Sequence, residues 1–554
     1  MPNQLHPRRY VLILLAAAFI AIWFSNLEYH KLFLTDEGRY AEIAREMAVT
    51  GDWITPRLNG IKYFEKPPLQ YWATATAYKI FGEHQWTSRL WPALTGLLGI
   101  ALVLLAGSSL FGPTAGLYAA LVLASSAGYI GIGHMNTLDM GLTFFMTGTA
   151  LAFLLAQREN ISSVTSRRWM LAAWACAALA VLSKGLVGIV LPAAVIAIYA
   201  LLQRDFGVLR RLQWTMGIML FLVIAAPWFA LVQYANPEFA KFFFIHEHFE
   251  RFLTESHGRV RPWWYFIPML AAGLIPWLTL LPQALMQGWR MPQPKQVFQP
   301  ARFLLIWIIF IFVFFSASGS KLPSYILPIL PALALLIGLI LAEMGTRQLM
   351  WHTVPVLLAG VAVLALAPTV VLIGSERVPV ALYQDYVPWI AAAGAALAIG
   401  GSCALFFCRL GNRGAALLGI GFGGLLAAQM VITGHGALSP AHSAYYIARD
   451  IKPYLAENAP FFSVRTYDQT LCFYIKRTVT LVAFQGEMAY GLEHEPRLWL
   501  PDIPSFEHAW RVERSALAIM EQQTYAELEK NGLPMQIIAR DLRHVVVKKP
   551  DAER

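Results

Sequence analysis

Long apolar runs, each close to the length of a bilayer crossing, dominate the pattern of hydrophobic and polar positions along the chain. A helix needs about 20 mostly apolar residues to cross the hydrocarbon core of a membrane. The run lengths predict about thirteen such helices, at 10–27, 88–111, 114–133, 138–156, 169–183, 185–203, 213–233, 263–288, 302–317, 324–345, 351–374, 386–407 and 414–434. The sequence therefore predicts a mainly α-helical polytopic membrane protein.

The pattern changes after residue 434, where the apolar runs end and shorter, more polar elements begin. The pattern predicts strands at 460–464 and 479–482 and an amphipathic helix at 515–530. It also predicts a hairpin at 535–548. We therefore expect two domains, a membrane domain at 1–434 and a soluble α/β domain at 435–554.

Composition supports a membrane protein. It argues against a nucleic-acid-binding protein and against a fold held together by disulfides or cysteine-bound zinc. The chain has 554 residues, of which 57% are hydrophobic and 14% charged, and its formal net charge is +10. Many of the positive charges fall in loops that the positive-inside rule assigns to the cytoplasm, so the charge does not indicate nucleic-acid binding. The four cysteines form no disulfide framework and no zinc-site spacing. The apolar run near the N-terminus has no cleavage site after it, and we interpret it as a retained anchor.

Two loops carry more charge than membrane topology requires. If the N-terminus is cytoplasmic, the loops 28–87 and 234–262 and the tail lie outside, yet both loops combine acids, bases and aromatics. Basic residues on the outer face are explained by a bound anion. The alternative is contact of long side chains with lipid headgroups. Because both loops depart from the rule together, a polar site is favoured.

The first of these loops contains two features that suggest anion chemistry. Thr35 is a good N-cap, and Asp36 and Glu37 suit the positive end of a helix that runs to about residue 49. Lys66 precedes two prolines and a second predicted helix at 69–81. A lysine at a helix N-terminus is unfavourable unless an anion such as a phosphate lies there.

Other outer loops add single charged residues at the same membrane face. They contribute Asp139, Lys184, Arg251 and Lys321. Convergence of these residues on one face indicates a site. A divalent metal could be held by His246 with Glu65, although the spacing of His246 and His248 does not place both on one helical face. The sequence contains no phosphate-binding Gly-rich loop and no nucleophile-elbow motif.

These motifs closely resemble those of GT-C membrane glycosyltransferases that use polyprenyl-phosphate sugars. The resemblance covers about 1–434 and is strongest to the branch that transfers 4-amino-4-deoxy-L-arabinose from undecaprenyl phosphate to lipid A. It rests on the segments 36–40, 64–68, 183–185, 247–252 and 321–328.

The resemblance implies a GT-C fold, an inverting transfer in one displacement, and a role in polymyxin resistance. It implies a Gram-negative inner-membrane enzyme with a periplasmic tail, an undecaprenyl-phosphate aminosugar as donor and lipid A as acceptor. The catalytic residues would be Asp36, Glu37 and Asp139. The donor phosphate would be bound by Arg39, Tyr40, Tyr63, Lys66, Lys184, Arg251, Lys321 and Tyr325.

Two alternatives to this function stay open on the sequence alone. The first keeps the chemistry and changes the sugar, or changes the acceptor to a protein, a glycan or another lipid. The second is a transporter or flippase for an anionic lipid. A transporter should carry ionisable groups or broken helices at mid-membrane, whereas here the charges cluster at one surface, which favours an enzyme.

Overall fold

A bundle of long apolar helices makes up most of the chain. The computed structural model describes residues 5–159, 161–244, 261–290, 298–456 and 459–550. The principal helices of the bundle are Leu5–Phe24, Gln85–Phe111, Pro113–Ser125, Ala127–Gly133, Asp139–Ala156, Ser163–Lys184, Val187–Gln203, Trp214–Ala235, Phe266–Gly273, Leu281–Arg290, Pro300–Ala317, Leu330–Glu343, Thr346–Leu366, Val380–Arg409 and Arg413–Gly434. The predicted helical membrane protein is confirmed.

Two predicted straight spans are in fact bent. Within the described ranges, 8 helices are long and apolar enough to cross a membrane, or up to 10 if each bent pair is one span. The span predicted at 114–133 bends by 63° between Ser125 and Ala127, and the one at 263–288 bends by 118°. Pro276 lies at the second bend, where it cannot donate a helical hydrogen bond. The count of thirteen stays a prediction.

The last two membrane helices approach each other closely because small residues line their contact. A Cβ on Gly400 would lie 2.6 Å from the carbonyl oxygen of Gly419 and 2.8 Å from the Cα of Gly423. Small residues at such contacts let helix backbones approach inside a membrane, where burial of apolar surface gives little driving force between helices. The second of these helices ends at Gly434, and the tail follows it directly.

The first loop and the tail each contain shorter helices and strands. The loop contains the first loop helix, Asp36–Thr50, a hairpin of β1 (Arg57–Leu58) and β2 (Ile61–Lys62), and the second loop helix, Leu69–Phe81, so both predicted helices are confirmed. The strands of the tail are β3 (Phe461–Val464), β4 (Thr480–Val482), β5 (Trp499–Leu500), β6 (Leu517–Glu521), β7 (Gln536–Arg540) and β8 (His544–Lys548). Its helices of six or more residues are Tyr445–Ile451, Ala489–His494, Ile503–Val512 and Gln522–Lys530.

The strands of the tail form one mixed sheet in the order β5-β4-β3-β6-β8-β7. The first four strands in this order are parallel to one another, whereas β8 runs antiparallel to both β6 and β7. The strands predicted at 460–464 and 479–482 and the hairpin at 535–548 are confirmed. The helix predicted at 515–530 is wrong over its first half, because Leu517–Glu521 is the strand β6 and only Gln522–Lys530 is helical. β6 is buried on both faces, so its residues are continuously apolar rather than alternating.

One hydrophobic core joins the first loop to the tail. Ile43 of the first loop helix and Ile61 of the hairpin lie in the same buried cluster as Leu481 of β4 and Ile519 of β6. The other face of the sheet has its own core around Trp510. The domain boundary near 434 stays a prediction, but the loop 28–87 and the tail pack against each other as one body.

The first loop helix buries a carboxylate whose charge is costly. Burial and the neighbouring Glu42 carboxylate raise the pKa of Glu46 to about 8. One Glu46 oxygen accepts a hydrogen bond from the Gly60 amide at 2.8 Å. When folding raises the pKa of an acid, the folded protein loses stability as the pH rises from the pKa of the unfolded state towards the pKa of the folded state.

We therefore expect Glu46→Gln to stabilise the protein above pH 7, by about 1–3 kcal/mol, because one pKa unit is worth about 1.4 kcal/mol. The amide keeps the acceptor for Gly60 and carries no charge. Thermal unfolding of both proteins in detergent, at pH 5 and pH 8, measures the effect. A gain of equal size at both pH values would show that the charge of Glu46 is not its source.

Candidate functional site

The first loop helix begins with an acid that faces an arginine one turn later. Arg39 donates from Nη1 to Oδ1 of Asp36 at 3.0 Å, and its Nη2 donates to Glu487 of the tail. The Asp36 side chain stays 31% exposed, whereas those of Arg39 and Glu487 are 8% and 15% exposed. Thr35 precedes the helix but its side chain makes no capping hydrogen bond, so the predicted N-cap interaction is wrong. Asp36 is thus the accessible acid of this group.

Aromatic residues surround Arg39 and leave polar atoms without protein partners. Tyr40 is 7% exposed, and its ring centroid lies 5.9 Å from the guanidinium carbon. Within the described part of the chain, neither the buried Tyr63 hydroxyl nor the Arg39 Nε has a hydrogen-bond partner. A buried polar atom left without a partner costs about 1–3 kcal/mol, so such atoms are expected to contact a ligand.

Glu37 points the other way, into the protein. Its two oxygens accept from Arg89 at 2.7 and 2.8 Å, and also from the backbone amides of Phe33 and Asn136. Burial alone would raise the pKa of Glu37, but Arg89 outweighs it and the pKa falls to about 2. The geometry therefore gives Glu37 a positioning role, since both oxygens are used to fix the start of the first loop helix. Its predicted catalytic role is not supported by this arrangement.

A cavity next to Asp36 has one polar and one apolar end. The polar end is lined by Lys66, Asp139, Lys184 and Tyr325, and the apolar end by side chains such as Leu142, Met146, Leu191, Phe314 and Phe315. Lys184 forms an ion pair with Asp139, and its ammonium lies 4.8 Å from the Tyr325 ring centroid. Asp36 is close enough to interact electrostatically with Lys184. The structure thus brings six of the predicted residues, Asp36, Arg39, Lys66, Asp139, Lys184 and Tyr325, to one place.

Lys321 has a different environment from the other predicted cations. Its ammonium donates to the backbone carbonyl of Ser318 and, at 3.0 Å, to that of Arg261. Because Ser318 lines the cavity, Lys321 fixes the loop at the cavity edge. Its direct contact with a donor phosphate stays a prediction.

The second outer loop lies largely outside the described residues. Arg251 and His246 both fall in this segment, so their predicted roles stay predictions. Glu65 is close enough to Tyr63 and Glu487 to interact with both electrostatically. Among the residues that the structure does describe, no three or more His, Cys, Asp or Glu side chains form a group that could hold a metal.

Two residues of the site were not identified in the sequence. Arg89 lies 52 positions from Glu37 and begins an apolar run, where a lone arginine is the only signal. Glu487 lies 448 positions from Arg39, in a tail without a recognisable motif. Burial raises the pKa of Glu487, while the neighbouring Arg39 guanidinium works against that shift.

Gly38 allows the tail to approach the first loop helix. A Cβ at Gly38 would lie 2.6 Å from Cγ2 of Thr470 and 2.7 Å from the carbonyl carbon and oxygen of Gln469. Backbone atoms cannot rotate away, so the tail would have to move.

We expect Gly38→Ala to lower the free energy of unfolding by about 1–3 kcal/mol, as overpacking does. Thermal unfolding in detergent measures this. Gly414→Ala is the control, because its Cβ meets no atom closer than 3.9 Å, and it should unfold like the parent protein. Equal unfolding temperatures for the two variants would contradict the close approach.

Solved structures of other proteins share the fold of this chain over almost its whole length. The crystal structure of ArnT from Cupriavidus metallidurans bound to undecaprenyl phosphate is 36% identical, covers 98% of this chain and 99% of that one, and has a TM-score of 0.93. An oligosaccharyltransferase from Archaeoglobus fulgidus, 13% identical with a TM-score of 0.55, covers 94% of this chain and 70% of its own, and shares the fold alone. The fold is the GT-C fold of membrane glycosyltransferases.

Sequence comparisons narrow this class to a family. Residues 9–243 match the model of dolichyl-phosphate-mannose-protein mannosyltransferases, and residues 447–549 match that of the aminoarabinose transferase C-terminal domain. The chain belongs to the family of ArnT aminoarabinose transferases. An undecaprenyl phosphate-α-4-amino-4-deoxy-L-arabinose arabinosyl transferase from Pseudomonas fluorescens is 34% identical over 60% of this chain and 56% of its own length. One from Pseudomonas aeruginosa is 35% identical over 60% and 59%. The matched region thus spans less than two thirds of these relatives.

Proposed function

We propose that this protein transfers 4-amino-4-deoxy-L-arabinose from undecaprenyl phosphate to a phosphate of lipid A, at the periplasmic face of a Gram-negative inner membrane. The observation that carries the proposal is the cavity beside Asp36. Its cationic end suits a phosphate and its apolar end a prenyl chain. The relatives are named for the same donor and sugar, and the Cupriavidus structure holds undecaprenyl phosphate.

The charges of the site match the needs of a transfer between two phosphates. The donor phosphate and the acceptor phosphate repel each other, and Lys66, Lys184 and Arg39 offset that repulsion. As the bond from the anomeric carbon to the donor phosphate breaks, the same cations stabilise the departing undecaprenyl phosphate. An oxygen of the acceptor phosphate forms the new bond on the opposite face of the sugar, which inverts its configuration.

Asp36 supplies the negative charge at the reacting centre. The sugar becomes oxocarbenium-like as the donor phosphate leaves, and a nearby carboxylate stabilises that positive charge. A lipid A phosphate is already ionised, so the reaction needs no general base. Asp36 is instead expected to stabilise the sugar, or to pair with its ammonium group.

Mass spectrometry of lipid A tests the proposed reaction. The chain is expressed in Gram-negative cells that lack their own aminoarabinose transferase, with synthesis of the donor switched on or off. We expect an added aminopentose only with the donor pathway on. Unmodified lipid A, despite good expression and available donor, would reject this pair of substrates and favour another sugar or acceptor.

The donor-binding role of Lys66 makes a kinetic prediction. Lys66→Met should raise the KM for the donor about 10- to 100-fold, since a hydrogen bond to a charged group contributes about 1.5–3 kcal/mol. The KM for the acceptor should change far less. Lys79→Met is a matched control, because Lys79 is an exposed lysine at the far end of the second loop helix. An unchanged donor KM in Lys66→Met would contradict this assignment.

A further inference from the structure

A second cavity lies at the other end of the membrane bundle from the cavity beside Asp36. It lies at the N-terminal end of the spanning helix Pro300–Ala317, whereas Phe314 and Phe315, near the C-terminal end of that helix, line the cavity beside Asp36. A helix rises about 1.5 Å per residue, so about 20 Å of helix separates the two cavities. They therefore lie at opposite membrane surfaces. We refer to the second one as the arginine cavity, and its lining residues used below are Leu110, Phe111, Gln299, Ala301, Arg302 and Leu339.

A guanidinium with unused N–H groups forms the polar end of the arginine cavity. Arg302 donates from Nη1 to Oε1 of Gln203 and from Nη2 to the carbonyl oxygen of Trp289, both at 3.0 Å. A guanidinium has more N–H groups than these two bonds use. Within the described ranges, the Nε of Arg302 has no hydrogen-bond partner. Arg302 can therefore bind an acceptor that the protein itself does not supply.

The start of the helix adds backbone donors. Pro300 has no N–H, and the Phe303 amide donates to the Gln299 carbonyl oxygen at 3.1 Å. The amides of Ala301 and Arg302 thus have no acceptor within the helix. Gln299 is only 7% exposed, yet its side chain neither caps the helix nor makes another hydrogen bond to a described residue. A buried amide without a partner indicates a polar ligand, and the positive end of a helix favours an anion.

The other side of the arginine cavity is apolar and lies at the level of lipid headgroups. Leu110, Phe111 and Leu339 form this apolar side, and the described lining residues include one cation and no acid. The Trp289 ring centroid lies 5.5 Å from the Arg302 guanidinium carbon, and Trp289 is 64% exposed. Exposed tryptophans mark the boundary between lipid and water. An occupant that fits this cavity combines an anionic head with an apolar chain.

We propose that the arginine cavity binds the phosphate of an anionic phospholipid, independently of the proposed function. The lipid belongs to the leaflet opposite the one that the cavity beside Asp36 faces. Its phosphate accepts from the Arg302 side chain and from the free amides of Ala301 and Arg302, and an acyl chain lies against Leu110 and Phe111. An anionic headgroup is favoured over a zwitterionic one, because no acid among the described lining residues could pair with an ammonium group.

A lipid bound in the arginine cavity should stabilise the packing of the helices around it. Four helices of the described part of the chain contribute lining residues, and they are Gln85–Phe111, Leu281–Arg290, Pro300–Ala317 and Leu330–Glu343. A ligand that binds only the folded state raises the unfolding temperature as its concentration rises. Thermal unfolding can therefore report the Kd of the lipid.

The test is thermal unfolding of the purified full-length protein in detergent with increasing phosphatidylglycerol or phosphatidylcholine. We expect phosphatidylglycerol to raise the unfolding temperature with a lower Kd than phosphatidylcholine. Arg302→Gln should raise the Kd for phosphatidylglycerol about 10- to 100-fold, since hydrogen bonds from a charged group are lost. Arg347→Gln is the matched control, because Arg347 is exposed and follows the helix Leu330–Glu343 at the same membrane surface. Its Kd should equal that of the parent protein.

A second variant tests the same cavity without removing its charge. Gln299→Leu keeps Arg302 and loses only the side-chain amide, so the Kd for phosphatidylglycerol should rise about 2- to 10-fold. This variant decides the question if Arg302→Gln does not fold.

Several outcomes would overturn this inference. One is a phosphatidylglycerol Kd that neither Arg302→Gln nor Gln299→Leu changes. An equal loss of affinity in Arg347→Gln would show only a general attraction to a basic surface. A loss in Lys66→Met instead would place the lipid in the cavity beside Asp36. Equal stabilisation by inorganic phosphate at the same concentration would show that the arginine cavity binds a soluble anion rather than a lipid.

Discussion

Replacing Asp36 by asparagine is expected to lower the rate of sugar transfer at saturating substrates by about 10²- to 10³-fold, the usual effect of removing one electrostatic contact from a transition state. Asparagine keeps the shape of the side chain and can still accept from Arg39, but it loses the negative charge. The substrates should still bind, because the variant keeps Lys66 and Lys184, the cations that we propose to bind their phosphates. The measurement is kcat with purified protein in detergent.

Asp52→Asn provides the comparison for this result. Asp52 is another acid of the first loop, and its Oδ1 accepts from the backbone amides of Ile54 and Thr55, a role that asparagine can keep. Its kcat should equal that of the parent protein. If Asp36→Asn retained more than a third of the parent rate, Asp36 would not be the residue that stabilises the reacting sugar.

A second large effect is expected at Arg89. Arg89→Met should lower the free energy of unfolding by about 3–5 kcal/mol, the usual cost of removing one partner from a buried ion pair. Glu37 is 2% exposed and Arg89 is fully buried, so the remaining carboxylate could not reach water. The backbone carbonyls of Leu27 and His30, which accept from Arg89, would lose their donor as well. Denaturant unfolding in micelles measures the loss.

Two further variants show whether this loss comes from the buried charge. In the double variant Arg89→Met, Glu37→Gln the charge is gone, so part of the stability should return. Glu527→Gln breaks a pair with Arg465 in which both side chains are about half exposed, and it should cost no more than about 1 kcal/mol. A loss in Arg89→Met no larger than that would contradict the role assigned to the pair.

The membrane helices could be predicted because run length alone determines whether a helix can cross a bilayer. The secondary structure of the tail is harder to predict, because periodicity does not distinguish a short buried strand from part of a helix. The residues Leu517 to Met520 show this, because they are continuously apolar and precede a truly amphipathic helix. Their identity as the strand β6 depends on β3 and β8, which lie on either side of it in the sheet.

The same limit applies to the candidate site. Asp36 and Arg39 are three positions apart on one helix, so their contact follows from helical geometry. For Asp139 and Lys184 the sequence predicts only that both lie at the outer face of the membrane, and it does not predict their ion pair. The partners of Glu37 and Arg39, which are Arg89 and Glu487, are fixed by the tertiary fold, and a single sequence holds no local signal for either.

The core shared by the first loop and the tail has a consequence for chimeric proteins. Ile43 and Ile61 share a buried cluster with residues more than 400 positions away along the chain, and Gly38 must match the backbone at Gln469. Exchanging only the residues after 434 between two relatives would pair a tail with a loop to which it is not fitted. We therefore expect a working hybrid to need residues 28–87 and the tail from the same parent, because these two distant segments form one packed unit.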